Sequence, residues 1–400
     1  MLYSERRDDA NGWLDHMLES LTMILEALEV HDFRNLSGKI TWGHGLNIIY
    51  GNNGQGKTNW LEAIYLLSRT KSFRTQHLRE YIRFGQTMAI LSGEVSNGAN
   101  LQREIQLSVK DNTKSISING KKEPLARYLS QLQVFAFTAD ELDVVRGVPE
   151  ARRRFIDRGV VSLHPAYIKT LSEYNRVRKQ KNKILQDSAD GYISTTQIDD
   201  LLAPWNEQLV DLGARIHKSR TAYIEKLNGA IERGLFESGT IQIRYISSLE
   251  GKGDLNDFES LMRQRLHLRR DAELAAGSAL IGPHRDDLEL LLDGREIRVY
   301  GSAGQQRSAL LLLDLAAISL YNSGHGDNPL FLIDDVDAEL DEKRIKQLLE
   351  YLEGRTQTFG TTSKRNHVEM FLSRASVYRI REGQVVPGEP EHDSFSEVPA

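Results

Sequence analysis

The feature that most constrains this chain is a glycine-rich loop between an apolar segment and an amphipathic one. The loop, 51–58, reads G-N-N-G-Q-G-K-T and directly follows the apolar segment 46–50. After it, Leu61, Ile64 and Tyr65 recur at helical spacing. A strand that turns through glycines straight into a helix predicts an α/β domain with a P-loop core sheet.

The residue types in this loop suit phosphate chemistry. Glycines let backbone N–H groups turn toward phosphate oxygens, Lys57 supplies a positive charge, and the Thr58 hydroxyl is a ligand for Mg²⁺. The following helix adds its positive N-terminal end. A plain glycine-rich turn is the alternative, but the strand–loop–helix context favours nucleotide binding. The predicted nucleotide-binding residues are Gly51, Asn52, Asn53, Gly54, Gln55, Gly56, Lys57 and Thr58.

A second candidate for the site is an acidic strand end. The apolar run 330–333 ends in Asp334 and Asp335. P-loop enzymes hold Mg²⁺ with a carboxylate in this position, so we expect Asp334 and Thr58 to be metal ligands. Asp335 is a candidate for orienting or deprotonating the attacking water. Alone, such a strand end is more typical of a solvated acidic turn; the phosphate loop in the same chain favours the catalytic interpretation.

Composition narrows the class of protein. The 400 residues are 40% hydrophobic and 27% charged with a net charge of −5, which is typical of a globular chain of two or three domains or of one large split domain. Cysteine is absent, which excludes disulfides, thiolate metal sites and a cysteine nucleophile. We expect no protein-held zinc. No apolar run approaches the roughly 18–20 residues of a membrane span, and the N-terminus does not resemble a signal peptide, so we expect a cytoplasmic protein.

The pattern along the chain predicts an ATPase head interrupted by a helical lobe. An antiparallel β subdomain is expected near 101–137, where Asn119-Gly120 indicates a hairpin. The predicted segments are an N-terminal extension at 1–22, the first half of the head at 23–150, the helical lobe at 151–275, the second half of the head at 276–386, and an acidic tail at 387–400.

The helical lobe begins with a basic segment. Residues 151–190 contain ten Lys and Arg residues and four Asp and Glu residues, an excess of six positive charges. For 152–154, contact with DNA phosphates and a solvated helix face are about equally good interpretations, and for 176–183 the helical spacing slightly favours phosphate contact. His284 is more typical of a packed turn residue than of a catalytic base. The candidate DNA-binding residues are Arg152, Arg153, Arg154, Arg178, Lys179, Lys181 and Lys183.

A third motif precedes the acidic strand. Residues 302–305, with Ser302, Gly304 and Gln305, stand at a predicted helix start and resemble the S-G-G-Q signature of ABC ATPases. Residues 338–341 resemble the D-loop of that class. The closer resemblance is to the RecF family and covers 23–383. It rests on the motifs at 32–35 (D-F-R-N), 71–74 (K-S-F-R), 147–149 (G-V-P), 152–157 (R-R-R-F-I-D), 282–287 (G-P-H-R-D-D), 301–307 and 334–335.

The RecF resemblance implies a function and partners. It implies an ATP- and Mg²⁺-dependent DNA-binding protein of recombinational repair and replication restart. Such a protein binds DNA at gaps, helps to load the RecA recombinase, and works with RecR and RecO. In an ATP-driven homodimer, Ser302, Gly304 and Gln305 of one subunit would complete the ATP site of the other.

Two departures from the ABC pattern bear on hydrolysis. Asp335 stands where many ABC ATPases have Glu, and Thr361-Thr362 stand where those proteins have a switch histidine. We therefore expect slow, DNA-stimulated hydrolysis. The alternatives are an ATP-binding scaffold with negligible hydrolysis and a transporter-type ABC ATPase subunit.

Overall fold

The structure is a computed structural model that describes residues 23–97, 101–193, 197–231, 239–336, 341–364, 368 and 374–386. The chain divides into two compact units, which we name the P-loop unit (Met1–Glu123 with Leu330–Ala400) and the helical unit (Pro124–Pro329). The predicted tail, the predicted N-terminal extension and the D-loop residues 338–340 lie outside the described residues. Among the helices that are described, none is both long and apolar enough to cross a membrane.

The described residues form fifteen strands and eleven α-helices, which occur partly in runs of one kind. The strands are β1 Ile24–Phe33, β2 Leu36–Thr41, β3 Leu46–Tyr50, β4 Met88–Asn97, β5 Leu101–Lys110, β6 Thr113–Ile118, β7 Lys121–Lys122, β8 Val134–Phe137, β9 Ile241–Ile246, β10 Asp287–Leu292, β11 Arg295–Glu296, β12 Leu330–Ile333, β13 Gln357–Thr362, β14 Ala375–Arg381 and β15 Gln384–Val385. The helices are α1 Lys57–Arg69, α2 Leu125–Leu129, α3 Asp143–Arg146, α4 Pro149–Leu163, α5 Tyr167–Ala189, α6 Ile198–Ala230, α7 Phe258–Leu268, α8 Arg270–Ala276, α9 Ile297–Tyr300, α10 Ala303–His325 and α11 Glu342–Leu352.

The parallel sheet of the P-loop unit fixes where the candidate site lies. Its strands follow the order β15-β14-β3-β13-β12, and β3, β12, β13 and β14 run parallel. Ile333 pairs with Gly360, and Thr362 pairs with Tyr50. The carboxyl ends of β3, β12 and β13 therefore meet at one edge, where open α/β sheets bind their ligands.

The other sheet of the P-loop unit is antiparallel, with the order β2-β1-β4-β5-β6-β7. The predicted hairpin is confirmed, because Ser117 and Ile118 pair with Lys122 and Lys121 across the turn. Asn119 and Gly120 adopt φ values of 48° and 73°. This left-handed backbone is what a two-residue hairpin loop requires, and Asn and Gly tolerate it best.

Helix α1 packs against β13 of the parallel sheet and against β1, β4 and β5 of the antiparallel sheet. It is apolar on nearly all sides, and its buried side chains include Trp60, Leu61, Ile64 and Leu67. A helix buried all round is expected between two layers. Each fully buried side chain of this kind contributes about 1.5–3 kcal/mol, so the helix that carries Lys57 and Thr58 is firmly held.

The helical unit is organised around the long helices α5 and α6. Helix α6 contacts α4, α5, α7, α10 and β9, and the sheet of this unit has the order β11-β10-β9. The predicted segment boundaries near 150 and 275 both fall inside this unit. The division of the head into two halves around a separate lobe stays a prediction.

Candidate functional site

The glycine loop leaves β3 and enters α1 with a backbone that only glycine adopts easily. Gly51, Gly54 and Gly56 have φ values of 154°, 78° and 102°. A side chain at Gly51 would also collide with the backbone carbonyl of Ile380. The loop therefore needs glycine at these positions both for its turns and for the close approach of β14.

Lys57 lies inside this loop. It is buried, and its Nζ donates to the carbonyl oxygens of Gly51 at 2.9 Å and Asn52 at 3.1 Å. The ammonium group is thus held where the loop closes, at the N-terminus of α1. Positive charge, a helix N-terminus and a glycine loop together form a site for phosphate groups.

Thr58 and Asp334 meet at the carboxyl edge of the parallel sheet. Thr58 Oγ1 donates to Asp334 Oδ1 at 2.9 Å. The sequence placed these two residues 276 positions apart, and the pairing of β3, β13 and β12 brings them together. A hydroxyl and a carboxylate oxygen in contact form a hard-oxygen pair of the kind that suits Mg²⁺.

Thr361 links the two acidic residues. Its Oγ1 donates to Asp334 Oδ1 at 2.7 Å and accepts from the backbone N–H of Asp335 at 2.8 Å. Thr361 is fully buried at the end of β13, whereas the Asp335 side chain is exposed. Asp335 itself has a left-handed φ of 49°. The sequence identified Thr361 only as a departure from the ABC pattern, and its bonding role was not predicted.

The hairpin β14–β15 braces the phosphate loop from outside. The side chain of Gln55 accepts from the Glu382 N–H at 2.6 Å, and its carbonyl accepts from the Gly383 N–H at 2.8 Å. Trp60 Nε1 donates to the Gly383 carbonyl at 3.1 Å. The loop is therefore held by a distant part of the chain, which the local pattern did not reveal.

Two of the motifs shared with the RecF family converge on Glu62 of α1, which the sequence did not single out. Glu62 is fully buried and pairs with Arg34 Nε at 2.6 Å. It also accepts from Ser72 Oγ at 2.5 Å and lies 3.5 Å from Arg74. The segments 32–35 and 71–74 thus hold the first turns of α1, which follow the phosphate loop.

The signature-like motif caps α10 in the helical unit. Ser302 Oγ accepts from the Gln305 N–H at 3.2 Å, and Gln305 Oε1 accepts from the Ser302 N–H at 2.8 Å. This capping box leaves Ser302 and Gln305 exposed. Gln306 is fixed below them by Arg146 Nε at 2.7 Å. Gly304 lies in the first turn of α10. Like the start of α1, the start of α10 is a helix N-terminus whose backbone N–H groups can bind phosphate.

Two of the candidate DNA-binding residues are buried in ion pairs, which corrects their assignment. Lys181 is fully buried and lies 2.6 Å from Glu273. Arg152 is also buried and donates twice to Asp287, at 2.6 and 2.9 Å. Charges enclosed in this way hold helices together and are not presented to a phosphate backbone.

The other five candidates reach the surface to different degrees. Arg154, Lys179 and Lys183 are exposed, and Arg154 pairs with Glu150 at 3.1 Å. Arg153 and Arg178 are half-buried. These five remain the predicted phosphate contacts of the basic segment.

His284 is a packed, neutral residue, in agreement with the sequence analysis. Burial lowers its pKa to about 3, and the charges of Arg178, Arg285 and Arg153 act in the same direction. Its Nε2 lies 3.1 Å from the Ala279 carbonyl, so the neutral ring carries its proton there. Nδ1 is then the acceptor for the Tyr174 hydroxyl at 2.7 Å.

Comparison with known sequences gives consistent relatives. The family described as the RecF/RecN/SMC N terminal domain matches residues 24–385. The chain is 34% identical over 378 residues to the DNA replication and repair protein RecF of Bacillus subtilis strain 168, covering 91% of this chain and 100% of that protein. It is 35% identical over 373 residues to the RecF of Halothermothrix orenii, covering 91% and 98%.

Solved structures agree with these sequences. The structure of the recombination mediator protein RecF-ATPrS in the RecFOR pathway has a TM-score of 0.82 and 32% identity, and covers 92% of this chain and 99% of that chain. The corresponding RecF-ATP structure has a TM-score of 0.83 and 31% identity, with 92% and 98% covered. An SMC head shares the fold alone, with a TM-score of 0.50 and 16% identity. The predicted α/β, ABC-type head is confirmed, and the chain belongs to the RecF family.

Proposed function

We propose that this protein is an ATP-dependent DNA-binding protein of recombinational repair and replication restart. The observation that carries the proposal is the convergence of Lys57, Thr58 and Asp334 at the carboxyl edge of the parallel sheet. Family membership supports the same conclusion, because the relatives are DNA replication and repair proteins and two of the solved structures are described with ATP or ATPrS.

Different residues of the P-loop unit have different roles in the proposed binding and hydrolysis of ATP. The loop N–H groups and Lys57 bind the phosphates, while Thr58 and Asp334 hold Mg²⁺. Bound Mg²⁺–ATP supplies a γ-phosphoryl group that can be transferred to water. Asp335 orients or deprotonates that water. Because the Asp carboxylate is one methylene shorter than the Glu of many ABC ATPases, we propose slow, DNA-stimulated hydrolysis.

The signature-like motif gives ATP a second role. The start of α10 presents Ser302, Gly304 and Gln305 at the surface of the helical unit. We propose that these residues bind the nucleotide held by a second copy of the chain, so that ATP joins two copies. Such a switch works only because ATP binds the dimer better than the monomer.

The wider role follows from the family. We propose that the dimer binds DNA at gaps, works with RecR and RecO, and helps to load RecA. A cytoplasmic location stays a prediction. A transporter-type subunit is disfavoured, because the relatives are DNA replication and repair proteins. The scaffold alternative has a specific observation in its favour, since Asp335 stands where many ABC ATPases have Glu.

Two variants at the site test the proposal. Lys57→Ala should weaken ATP binding by about a hundredfold, because a charged phosphate contact is worth about 1.5–3 kcal/mol and loop closure is lost with it. Asp335→Asn should bind ATP normally but hydrolyse it at least about tenfold more slowly. ATP affinity and DNA-stimulated phosphate release are measured for each. If wild-type protein binds ATP and DNA without hydrolysis, it is the scaffold; if Lys57→Ala retains tight ATP binding, the site is wrong.

A further inference from the structure

The helical unit contains an open cavity of about 590 Å³ beside the start of α4. We name it the arginine cavity. It lies where α4, α5 and the 278–285 segment meet, and thus where two motifs shared with the RecF family, 147–149 and 282–287, come together. Its polar lining residues include Glu150, Arg153, Arg178, Asn182, His284 and Arg285.

The charge on the cavity wall is positive and largely uncompensated. Arg153, Arg178 and Arg285 provide three guanidinium groups, and Glu150 provides one carboxylate, which already pairs with Arg154. The side chains of Arg178 and Arg285 make neither a hydrogen bond nor an ion pair with any residue that the structure describes. Arg178 is half-buried and Arg285 is exposed. A half-buried guanidinium such as that of Arg178 is costly without a partner, and a bound anion removes that cost.

The pKa shifts of His284 and Arg153 indicate that these charges lie close together. The pKa of His284 is lowered first by burial and then by Arg178, Arg285 and Arg153. Burial and the nearby Arg220 also lower the pKa of Arg153, and the carboxylates of Asp287, Glu150 and Asp286 oppose this shift. The neutral His284 adds no charge of its own, so the field in the cavity comes from the guanidinium groups.

The cavity wall is held rigidly by contacts from helices α4 and α6 to the 282–287 motif. Arg153 donates to the Asp286 carbonyl at 2.8 Å, and Arg220 donates to the Pro283 carbonyl at 2.7 Å. Gly282 has a φ of 129°, and a side chain there would collide with the Tyr174 hydroxyl. Groups fixed in this way lose little conformational entropy when a ligand binds.

We propose that the arginine cavity binds a phosphate group of the DNA backbone. Guanidinium groups match phosphate oxygens in shape and charge, and the N-terminus of the 15-residue helix α4 adds to the attraction. The exposed Lys179 and Lys183 follow Arg178 and Asn182 along α5, and they extend the positive surface beyond the cavity. A repeating backbone of phosphates fits such an extended surface better than a single free anion. The inference rests on the proposed DNA-binding function.

The test compares two cavity variants with a matched control on the same helix. Arg178→Ala and Arg285→Ala each remove a cavity guanidinium, while Arg176→Ala removes an exposed one outside the cavity. Duplex DNA affinity is measured with ATP across a salt series. Each cavity variant should lose about fivefold to tenfold in affinity, and its salt slope should fall by about one. Arg176→Ala should change affinity by less than about twofold, because this side chain lies outside the cavity and its charge is screened by salt.

Arg285→Lys separates charge from structure, since it keeps the charge and loses the planar fork. It should recover part of the affinity, while thermal unfolding and ATP binding stay unchanged in all variants. Equal effects of the cavity variants and Arg176→Ala would overturn the inference and leave the proposed function intact. Absence of DNA binding by the wild-type protein would overturn both.

Two further probes identify other occupants. Inorganic phosphate and polyglutamate are titrated by calorimetry into the wild-type protein and Arg285→Ala. If the variant loses heat with either probe while keeping its DNA affinity, the cavity serves a free anion or an acidic protein partner, and the DNA assignment is wrong.

Discussion

At the scale of single residues, Thr361 connects the two acidic residues of the site. Its one hydroxyl joins Asp334 and the backbone of Asp335 from a fully buried position. The Asp334 carboxylate and the Asp335 backbone are therefore positioned by a common neighbour. Thr361 acts through these two residues, so it is a positioning residue and not a catalytic one.

Thr361→Val keeps the shape of the side chain and removes its hydrogen bonds. We expect hydrolysis to fall by about tenfold or more, because leaving a buried N–H unpaired costs about 1–3 kcal/mol and frees Asp335 to move. ATP affinity should change by less than about threefold. Thr361→Ser should restore the rate. Equal losses in ATP affinity and turnover, with no rescue by Ser, would indicate a general loss of structure instead.

His284 makes stability depend on pH. Its folded-state pKa is about 3, below the ordinary 6.5, so the unfolded chain takes up the proton first as pH falls. Its contribution is therefore fully present above about pH 6.5 and is lost progressively toward pH 3. From about pH 7 to about pH 5, the wild-type protein should lose about 1–2 kcal/mol more stability than His284→Gln. Parallel pH profiles in denaturant titrations would show no role for His284.

At the scale of elements, buried ion pairs hold the helical unit together. Lys181 and Glu273 join α5 to α8, Arg152 and Asp287 join α4 to β10, and Arg220 joins α6 to α4 through Asp157 at 2.9 Å. A basic segment that looks like a solvated face in the sequence thus directs part of its charge inward. The buried pairs fix helix positions, and the exposed residues between them are the proposed phosphate contacts.

Lys181→Ala should destabilise the protein by about 3–5 kcal/mol, because it leaves the Glu273 carboxylate buried without its partner. The neighbouring Lys179→Ala is the matched control and should stay within about 0.5 kcal/mol. Chemical denaturation measures both. The double variant Lys181→Met with Glu273→Gln should recover most of the loss, since it removes both buried charges. Equal stability of the two single variants would contradict the pairing.

At the scale of the whole molecule, the phosphate loop and the signature-like motif lie in different compact units. Each is a helix start with exposed polar groups, and each is complete as a local structure. In the proposed dimer, the second copy of the chain supplies the motif that closes the nucleotide site. ATP binding and dimer formation would then be one linked equilibrium.

Ser302→Arg tests this linkage. The larger, charged side chain at the start of α10 should abolish the ATP-dependent dimer while leaving nucleotide affinity of the single chain within about threefold. Ser323→Arg, at the other end of the same helix, is the control and should dimerise normally. Sedimentation velocity with and without ATP distinguishes the two. A normal ATP-dependent dimer of Ser302→Arg would overturn the proposed interface.

Features encoded in contiguous residues could be predicted from the sequence. The strand–loop–helix at 46–69, the hairpin at Asn119-Gly120, the acidic end of β12 and the helix start at Ser302 were all predicted and are all present. Each depends on local backbone preference, on side-chain periodicity or on a capping pattern. These properties involve only residues that are close together in the sequence.

Which charges face inward and which distant groups share a site became visible only in the folded chain. Lys181 and Lys179 are two residues apart, yet one is fully buried against α8 and the other is exposed. Glu62 and Thr361 gained their roles from partners more than one element away. Burial and long-range pairing depend on how whole elements pack, and an ionised side chain carries no local signal of the partner that will neutralise it.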